Sequence, residues 1–363
     1  MDAFGNAYRG RKVLVTGHTG FKGSWLVLWL KSMGAEVAGY SLPAPTQPSH
    51  WSLLGLDITE TLGDVCDANL LDKAVSDFQP EIVFHLAAQP LVRESYRVPA
   101  QTYAANVVGS VNVYEACRKA GSVRAVVSIT TDKVYHNNEW EWGYRETDRF
   151  GGYDPYSASK ACAEIATDSY RKSFWNLTEF GKSHNTLLCT TRAGNVVGGG
   201  DWAADRLIPD LMRGASTGNA AIIRNADSTR PWQHVLEPLA GYLMLGRQLL
   251  EGRTEFAEGW NLGPAEDGVV PVREVVARME RAWDKVKVEF KPDPNALHEA
   301  RLLKLDCAKA HSRLGWKPVW SGLDTVEVTA GWYRAWYERQ ELVSLSDIER
   351  YLADARSAGL DGI

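Results

Sequence analysis

Tyr156 and Lys160 stand four residues apart in Tyr156-Ser157-Ala158-Ser159-Lys160, so at the start of a helix a phenol and an ammonium project from one face. A neighbouring cation favours phenolate and lowers the tyrosine pKa. Tyr156 is thereby suited to take a proton from a substrate hydroxyl while a hydride leaves the same carbon for a nicotinamide ring. Thr131, just past an apolar run at 124–130, supplies a hydroxyl that can orient the same oxygen. Tyr/Lys pairs at this spacing are common in a chain with 14 tyrosines, and this one gains weight from lying downstream of Gly17-His18-Thr19-Gly20-Phe21-Lys22-Gly23. That loop has the spacing G-x-x-G-x-x-G between an apolar run and a helical pattern. It is a variant of the dinucleotide fingerprint, in which glycines admit the backbone to a pyrophosphate and a helix N-terminus offers unpaired N–H groups.

The acidic residue expected about 20 residues beyond the glycines to hold ribose hydroxyls is missing. The second strand runs instead into Gly39-Tyr40-Ser41-Leu42, with Glu36 at its start. No arginine stands there for a 2′-phosphate, although Lys22 can approach one. NAD is the cofactor expected, with NADP left open. Asp64-Val65-Cys66-Asp67 either places a carboxylate, Asp64, against the adenine edge or is an ordinary cap of the next helix.

The elements that must position these groups alternate. Strands are predicted at 12–16, 36–40, 81–86, 124–130 and 185–192, with helices at 20–33, 70–78, 104–120 and 157–171 between them. This rhythm predicts an α/β fold, a Rossmann-like doubly wound parallel sheet. After residue 192 it fails: four glycines fall between 193 and 201, and only short elements follow at 220–223, 269–283 and 286–290, with a loop at 291–294. The expected organisation is a dinucleotide-binding domain at 1–192 to which part of 225–262 returns. A smaller mixed substrate-binding lobe is expected at 193–224 and 263–340, and a helical tail at 341–363. Closing helices are predicted at 322–339 and 346–357, the second capped by Ser346 and stopped by Gly359.

Composition narrows the partners. Forty Lys+Arg against 45 Asp+Glu give a net charge of −5, leaving no basic field for a nucleic acid. The five cysteines (Cys66, Cys117, Cys162, Cys189, Cys307) are widely spaced without a C-x-x-C pair, which suggests neither a disulfide framework nor a metal site and fits reduced thiols in a cytoplasm. The apolar run at 25–30 is too short for a membrane span, and His18, Lys22 and three glycines break the stretch before it too often for a signal peptide.

The glycine loop, His85-Leu86-Ala87-Ala88-Gln89, Thr131 and Tyr156/Lys160 together resemble an extended short-chain dehydrogenase/reductase. Narrower motifs resemble the CDP-glucose 4,6-dehydratase family, from the glycine loop to about residue 340. They are Gly17 to Trp25, Thr131-Asp132-Lys133-Val134-Tyr135, Glu139-Trp140-Glu141-Trp142-Gly143-Tyr144-Arg145-Glu146, Arg192 to Trp202, and Arg230-Pro231-Trp232-Gln233-His234-Val235.

The resemblance implies an NAD-dependent lyase that turns CDP-glucose into CDP-4-keto-6-deoxyglucose and water. Tyr156 would deprotonate the carbon-4 hydroxyl as hydride leaves, a base would take the proton at carbon 5, an acid would protonate the departing carbon-6 hydroxyl, and the hydride would return to carbon 6. Elimination needs an acid and a base that a simple dehydrogenase or epimerase does not. Many relatives carry Asp-Glu or Glu-Glu after the threonine, whereas here the resemblance assigns the acid to Asp132 and the base to Lys133. Neighbours in an extended strand point to opposite faces, so both reach one substrate only if the chain turns there.

The resemblance also implies that Leu86, Ala87 and Ala88 line the cofactor, and that Asn195 meets the phosphates. Arg206, Arg230 and Arg301 are the arginines expected at the pyrophosphate, and His85, Gln89 and His234 are further substrate-binding candidates. His85 is alternatively a satisfied strand-end histidine. Trp140, Trp142, Trp202 and Trp232 either pack on the base or close the two lobes. Alternatives are a dehydratase or 4-epimerase for another nucleotide sugar, or a non-catalytic nucleotide-binding regulator. A homodimer pairing the helices 104–120 and 157–171 is implied, as is a place in bacterial deoxysugar biosynthesis for surface polysaccharide.

Overall fold

β-Branched and aliphatic residues cluster in short runs, and each run becomes a strand of one parallel sheet. The computed structural model describes residues 1–204, 206–223, 225–265, 268–291, 302–360 and 362–363. In chain order the first half contains β1 (Lys12–Thr16), α1 (Phe21–Ser32), β2 (Glu36–Ser41), α2 (His50–Leu54), β3 (Thr59–Leu62), α3 (Ala68–Phe78), β4 (Ile82–His85), α4 (Val92–Arg97), α5 (Pro99–Tyr103), α6 (Gly109–Ala120), β5 (Ala125–Ile129), α7 (Pro155–Ser173) and β6 (Leu187–Ala193). The second half contains β7 (Asn195–Val197), α8 (Leu207–Thr217), β8 (Ala221–Ile223), β9 (Thr229–His234), α9 (Leu236–Leu250), β10 (Gly259–Leu262), β11 (Val269–Pro271), α10 (Val272–Ala282), β12 (Val288–Phe290), α11 (Gly322–Arg339) and α12 (Ser344–Ser357).

Seven strands pair in the order β10-β6-β5-β4-β1-β2-β3, all parallel. Because side chains alternate along a strand, each strand serves two cores. Val13, Val15, Phe84, Val127 and Cys189 face the layer with α1 and α9, whereas Leu14, Val83, Val126 and Leu188 face α3 and α6. β1 lies between β2 and β4, so the chain leaves it in one direction and later resumes on its other side. Ligands of open α/β sheets bind at that switch point, beyond the carboxyl ends of the strands.

The sequence reading and the structure part in several places. The helix expected at 104–120 is interrupted: α5 runs into one π-helical turn at Ala104–Val108 before α6 begins. β3 is a mostly exposed edge strand without the apolar run that announces the others. α9 is buried nearly all round and therefore shows little amphipathic period. α12 starts at Ser344, not at Ser346. It folds back onto α1, with Tyr351 edge-on to Trp29. Of the loop expected at 291–294, only Lys291 lies within the described residues.

Beyond the end of β6, a three-stranded sheet β11-β9-β7 and a pair β12-β8 form the smaller layer, with α8, α10 and α11 around them. Among the described residues no helix is long and apolar enough to cross a membrane.

Candidate active site

The first cradle is the turn from β1 into α1. Gly17 has φ +75°, and a Cβ there would lie 2.7 Å from the Ala87 nitrogen; a Cβ on Gly23 would lie 2.1 Å from the Gly17 oxygen. These glycines therefore let the turn close against the chain after β4 and let α1 start tight against the loop, with backbone where side chains would stand. Gly20 caps α1, whose first turn carries no acidic residue, so its free N–H groups and positive dipole end face the switch point.

The loop's polar side chains turn sideways. His18 Nε2 lies 2.7 Å from Glu60 Oε1 and its ring lies edge-on to Trp51. Burial lowers its pKa against the pull of Glu60. Thr19 bonds to Ser41 and to the Leu42 carbonyl, so the end of β2 anchors the loop where an acidic residue was expected. Lys22 is pushed down to about 7, first by burial and then by Arg206, against the opposing charge of Asp132.

The second cluster lies past β5. Thr131 caps a single 3₁₀ turn, Asp132–Val134, by accepting from the Lys133 N–H at 3.4 Å. This turn removes the strand geometry that would have parted its side chains. Lys133 Nζ donates to Asp132 Oδ1 at 3.0 Å, and Thr131 Oγ1 donates to the same oxygen at 2.9 Å. Burial alone would lower the Lys133 pKa, but Asp132 and Tyr156 outweigh it and raise it.

α7 carries the other half. Asp154 caps it by accepting from the Ser157 N–H at 2.9 Å, and Pro155 opens its first turn. Tyr156 is buried, which raises its pKa against the lowering effects of Lys133 and of a hydrogen bond with Thr131. Lys160 Nζ donates to the Ile129 carbonyl at 3.0 Å, and burial pushes it down to about 8. One turn further along α7, Glu164 accepts from Thr130, Thr190 and Arg192.

The structure brings Gly17–Gly23, Thr131, Asp132, Lys133, Tyr156 and Lys160 to one end of the sheet. Leu86, Ala87 and Ala88 follow β4 beside them, the Ala87 N–H donating to Thr16 Oγ1 at 3.2 Å. Arg206 is paired with Asp201 at 2.8 Å and acts electrostatically on Lys22 and Tyr156. Arg230 acts on Lys133 while donating to the Thr229 carbonyl. Asn195 opens β7 next to Gly194, which lies against Asp132. Asp64 is exposed, and Asp67 rather than Asp64 caps α3. Arg301 lies outside the described residues.

Three substrate candidates have their side chains engaged by neighbours within the fold. His85 is buried between Thr16 Oγ1 at 2.8 Å and Ser110 Oγ at 3.0 Å, tying β4 to β1 and α6, and burial pushes it down to about 3. The Gln89 carboxamide is spent on Leu91, two residues on, and on Thr102 of α5. His234 is wholly buried, edge-on to Trp320 and Trp25. Trp202 and Trp232 are core residues, whereas Trp140 stacks on Tyr144 and Trp142 is exposed.

Sequence reasoning missed Glu164 and its partners. The available signal is its spacing, four residues after Lys160 on one helical face. It also missed Asn106, in the π-helical turn, which holds Gln89 and Ser159.

Residues 14–329 match the family model described as GDP-mannose 4,6 dehydratase. The chain is 47% identical over 355 residues to a CDP-glucose 4,6-dehydratase of Salmonella typhimurium, covering 97% of this chain and 98% of that protein. Among solved structures, an epimerase from Methanothermobacter thermautotrophicus matches the fold with a TM-score of 0.79 at 24% identity, covering 92% of this chain and 95% of that one. MoeE5, solved with UDP-glucose and NAD, matches with a TM-score of 0.74 at 26% identity, covering 89% and 98%.

Proposed function

The chain belongs to the nucleotide-sugar dehydratase family described as GDP-mannose 4,6 dehydratase, and from that premise we propose that it acts as a CDP-glucose 4,6-dehydratase. It converts CDP-glucose to CDP-4-keto-6-deoxyglucose and water. The observation that carries the reading is the turn that places Asp132 and Lys133 together beside Tyr156 and Thr131. A dehydrogenase or an epimerase has no use for that second pair.

The loop fits a dinucleotide, because Gly17 and Gly23 let the turn pack backbone against backbone and the N-terminus of α1, with no acidic residue in its first turn, is offered to the pyrophosphate. NAD held by the Gly17–Gly23 loop and the α1 N-terminus would supply the hydride acceptor for carbon 4 and the hydride donor for carbon 6. Tyr156 takes the carbon-4 hydroxyl proton while Thr131 orients that oxygen. Lys160, held by the Ile129 carbonyl, places a positive charge near the phenolate. The new ketone acidifies carbon 5; once the Lys133 ammonium passes a proton to Asp132 along their 3.0 Å hydrogen bond, the Lys133 amine takes the carbon-5 proton and Asp132 protonates the departing carbon-6 hydroxyl. Arg206 and Arg230, whose charges act on Lys22, Tyr156 and Lys133, serve the diphosphate together with Asn195 at the start of β7. The exposed residues Val108, Cys162 and Ile165 give the π-helical turn and α7 an outward apolar face suited to a two-fold pairing of protomers.

The test is incubation with CDP-glucose and NAD. The expected product, identified by mass and NMR, is the 4-keto-6-deoxy sugar nucleotide with one solvent deuterium at carbon 5. Turnover of a different nucleotide sugar with none of CDP-glucose would overturn the substrate. Product that keeps its carbon-6 oxygen would overturn the reaction.

A further inference from the structure

The corner that leads from β7 towards Arg206 lies on side chains of three helices. A Cβ on Gly199 would stand 2.0 Å from Trp332 Cγ, and one on Gly200, at φ +83°, would stand 2.7 Å from His50 Cβ. Trp25 Nε1 donates to the Gly199 carbonyl at 2.9 Å. Backbone therefore rests directly on residues of α1, α2 and α11, and the corner moves only if they move. Asp201 follows at once. Its carbonyl accepts from the Tyr333 hydroxyl, and its carboxylate accepts from the Ala203 N–H at 3.0 Å and from Arg206 at 2.8 Å.

His50 joins the three helices. It opens α2, is 1% exposed, stacks on Trp25 with ring centroids 4.9 Å apart and meets Trp332 edge-on. Nδ1 lies 2.8 Å from Ser24 Oγ, and Nε2 lies 2.8 Å from Ser344 Oγ. Burial pushes its pKa down to about 3, so the imidazole is neutral, with one donor nitrogen and one acceptor. The neighbours decide which is which. Ser24 gives its one hydroxyl hydrogen to the Phe21 carbonyl at 2.9 Å, so it accepts from Nδ1. Nε2 is then the acceptor and takes the Ser344 hydrogen, while Ser344 Oγ accepts from Trp332 Nε1 at 2.8 Å. The donors thus run in one direction, from Trp332 through Ser344, His50 and Ser24 to Phe21 in the first turn of α1.

We propose that His50 is a positioning residue for the diphosphate: it holds the Gly199–Gly200 corner against the first turn of α1 and so sets where Arg206 and Asn195 stand. This rests on the assignment of those two residues to the diphosphate given above. Without the imidazole, Ser344 loses its acceptor, Trp332 loses the fixed partner that orients its ring, and the corner lying on both residues shifts with them. The reacting groups hang on other bonds, within the turn after β5 and from Lys160 to the Ile129 carbonyl. The glycine loop likewise keeps its anchors at Ser41, Leu42 and Glu60.

The test measures binding of CDP, CMP and NAD to wild type, His50→Leu and Ser344→Ala. CDP and CMP share base and ribose and differ by one phosphate, so the ratio of their dissociation constants reads the grip on the second phosphate. His50→Leu should narrow that ratio about tenfold, the scale of a hydrogen bond to a charged group misplaced by a fraction of an ångström. NAD affinity should stay within about threefold. The KM for CDP-glucose should rise about tenfold while kcat falls less than about threefold. Ser344→Ala breaks only the outer half of the chain and should narrow the ratio about threefold. A general loosening of the fold would weaken CDP, CMP and NAD alike. That result, or an unchanged ratio in either folded variant, would overturn the role of His50 and leave the dehydratase reading intact. Wild-type protein that binds CDP no better than CMP would overturn the diphosphate assignment of Arg206 and Asn195 and the positioning role together.

Discussion

Two ion pairs sit near the ends of β5 and β6, and they are built differently. Glu164 and Arg192 are 1% and 3% exposed. Glu164 Oε1 accepts from Thr130 and Arg192 Nε at 2.5 and 2.8 Å, and Oε2 from Thr190 and Arg192 Nη2 at 2.7 and 3.0 Å. Arg192 also donates to Tyr135 and lies over the Tyr135 and Phe150 rings. In the other pair, Asp132 is 2% and Lys133 30% exposed, both donors meet Oδ1, and Oδ2 faces Gly194. A saturated buried pair has nothing to exchange and holds β5, β6 and α7 in register. A half-satisfied pair at a cleft keeps the capacity to give and take protons.

The largest effects break this contrast by crossing it. Glu164→Ala strands the Arg192 charge in the core and should cost about 3–5 kcal/mol of stability in denaturant unfolding. Lys133→Ala should cost less than about 2 kcal/mol, because Asp132 keeps its bond from Thr131. Its turnover should nevertheless fall about 10³-fold, or about 4 kcal/mol of barrier, while carbon-4 oxidation stays measurable. If Lys133→Ala unfolds the protein, or if product formation survives it, the cleft pair is structural and the contrast collapses.

A smaller effect concerns acid. Burial and the charge of Arg350 push His234 down to about 3, and burial does the same to His50. The unfolded chain binds protons at these histidines near pH 6.5 and the folded chain does not, so stability is lost as pH falls below about 6.5. Glu237 and Asp347, both raised to about 7 chiefly by burial, act oppositely between about 7 and the ordinary carboxylate range. Glu164 is held low: burial would raise its pKa, but Arg192 and the threonine hydroxyls outweigh it. Its contribution is present above the ordinary carboxylate range and is lost only as pH falls through its lowered value. The saturated pair should therefore be silent at mildly acid pH. His234→Phe, which fits the same aromatic surroundings, should gain about 2 kcal/mol relative to wild type between pH 6.5 and pH 5. Parallel stability curves for the two proteins would show that His234 titrates alike folded and unfolded.

The same contrast explains what a single sequence conveys. The glycine loop, the alternation of strands and helices, and the Tyr156/Lys160 spacing are local patterns, and they survive folding unchanged. His85, Gln89 and His234 have site-like residue types, but their roles depend on Thr16, Ser110, Thr102 and Trp320, which only the tertiary fold brings near. Glu164 lies one turn beyond Lys160 on α7, yet its partner Arg192 comes from β6. The turn that unites Asp132 with Lys133 depends on the Thr131 cap, and a threonine in that place reads equally well as strand.

Gly194 tests how much room the unsaturated pair requires. A Cβ there would lie 3.1 Å from Asp132 Oδ2 and 3.1 Å from Pro231 Cγ, closer than most real contacts, and the proline ring cannot swing away. Gly194 has no left-handed φ, so an alanine meets a steric problem rather than a backbone one. The carboxylate is the softer neighbour, and Gly194→Ala should displace it while Thr131 and Lys133 still hold Oδ1. Misplacement of an acid by a fraction of an ångström should cost about tenfold in turnover, about 1.4 kcal/mol, with melting unchanged. The loss should fall on water release and spare carbon-4 oxidation. Equal loss in both steps would mean that the β6–β7 corner shapes the whole cleft, and that Asp132 Oδ2 needs no open space of its own.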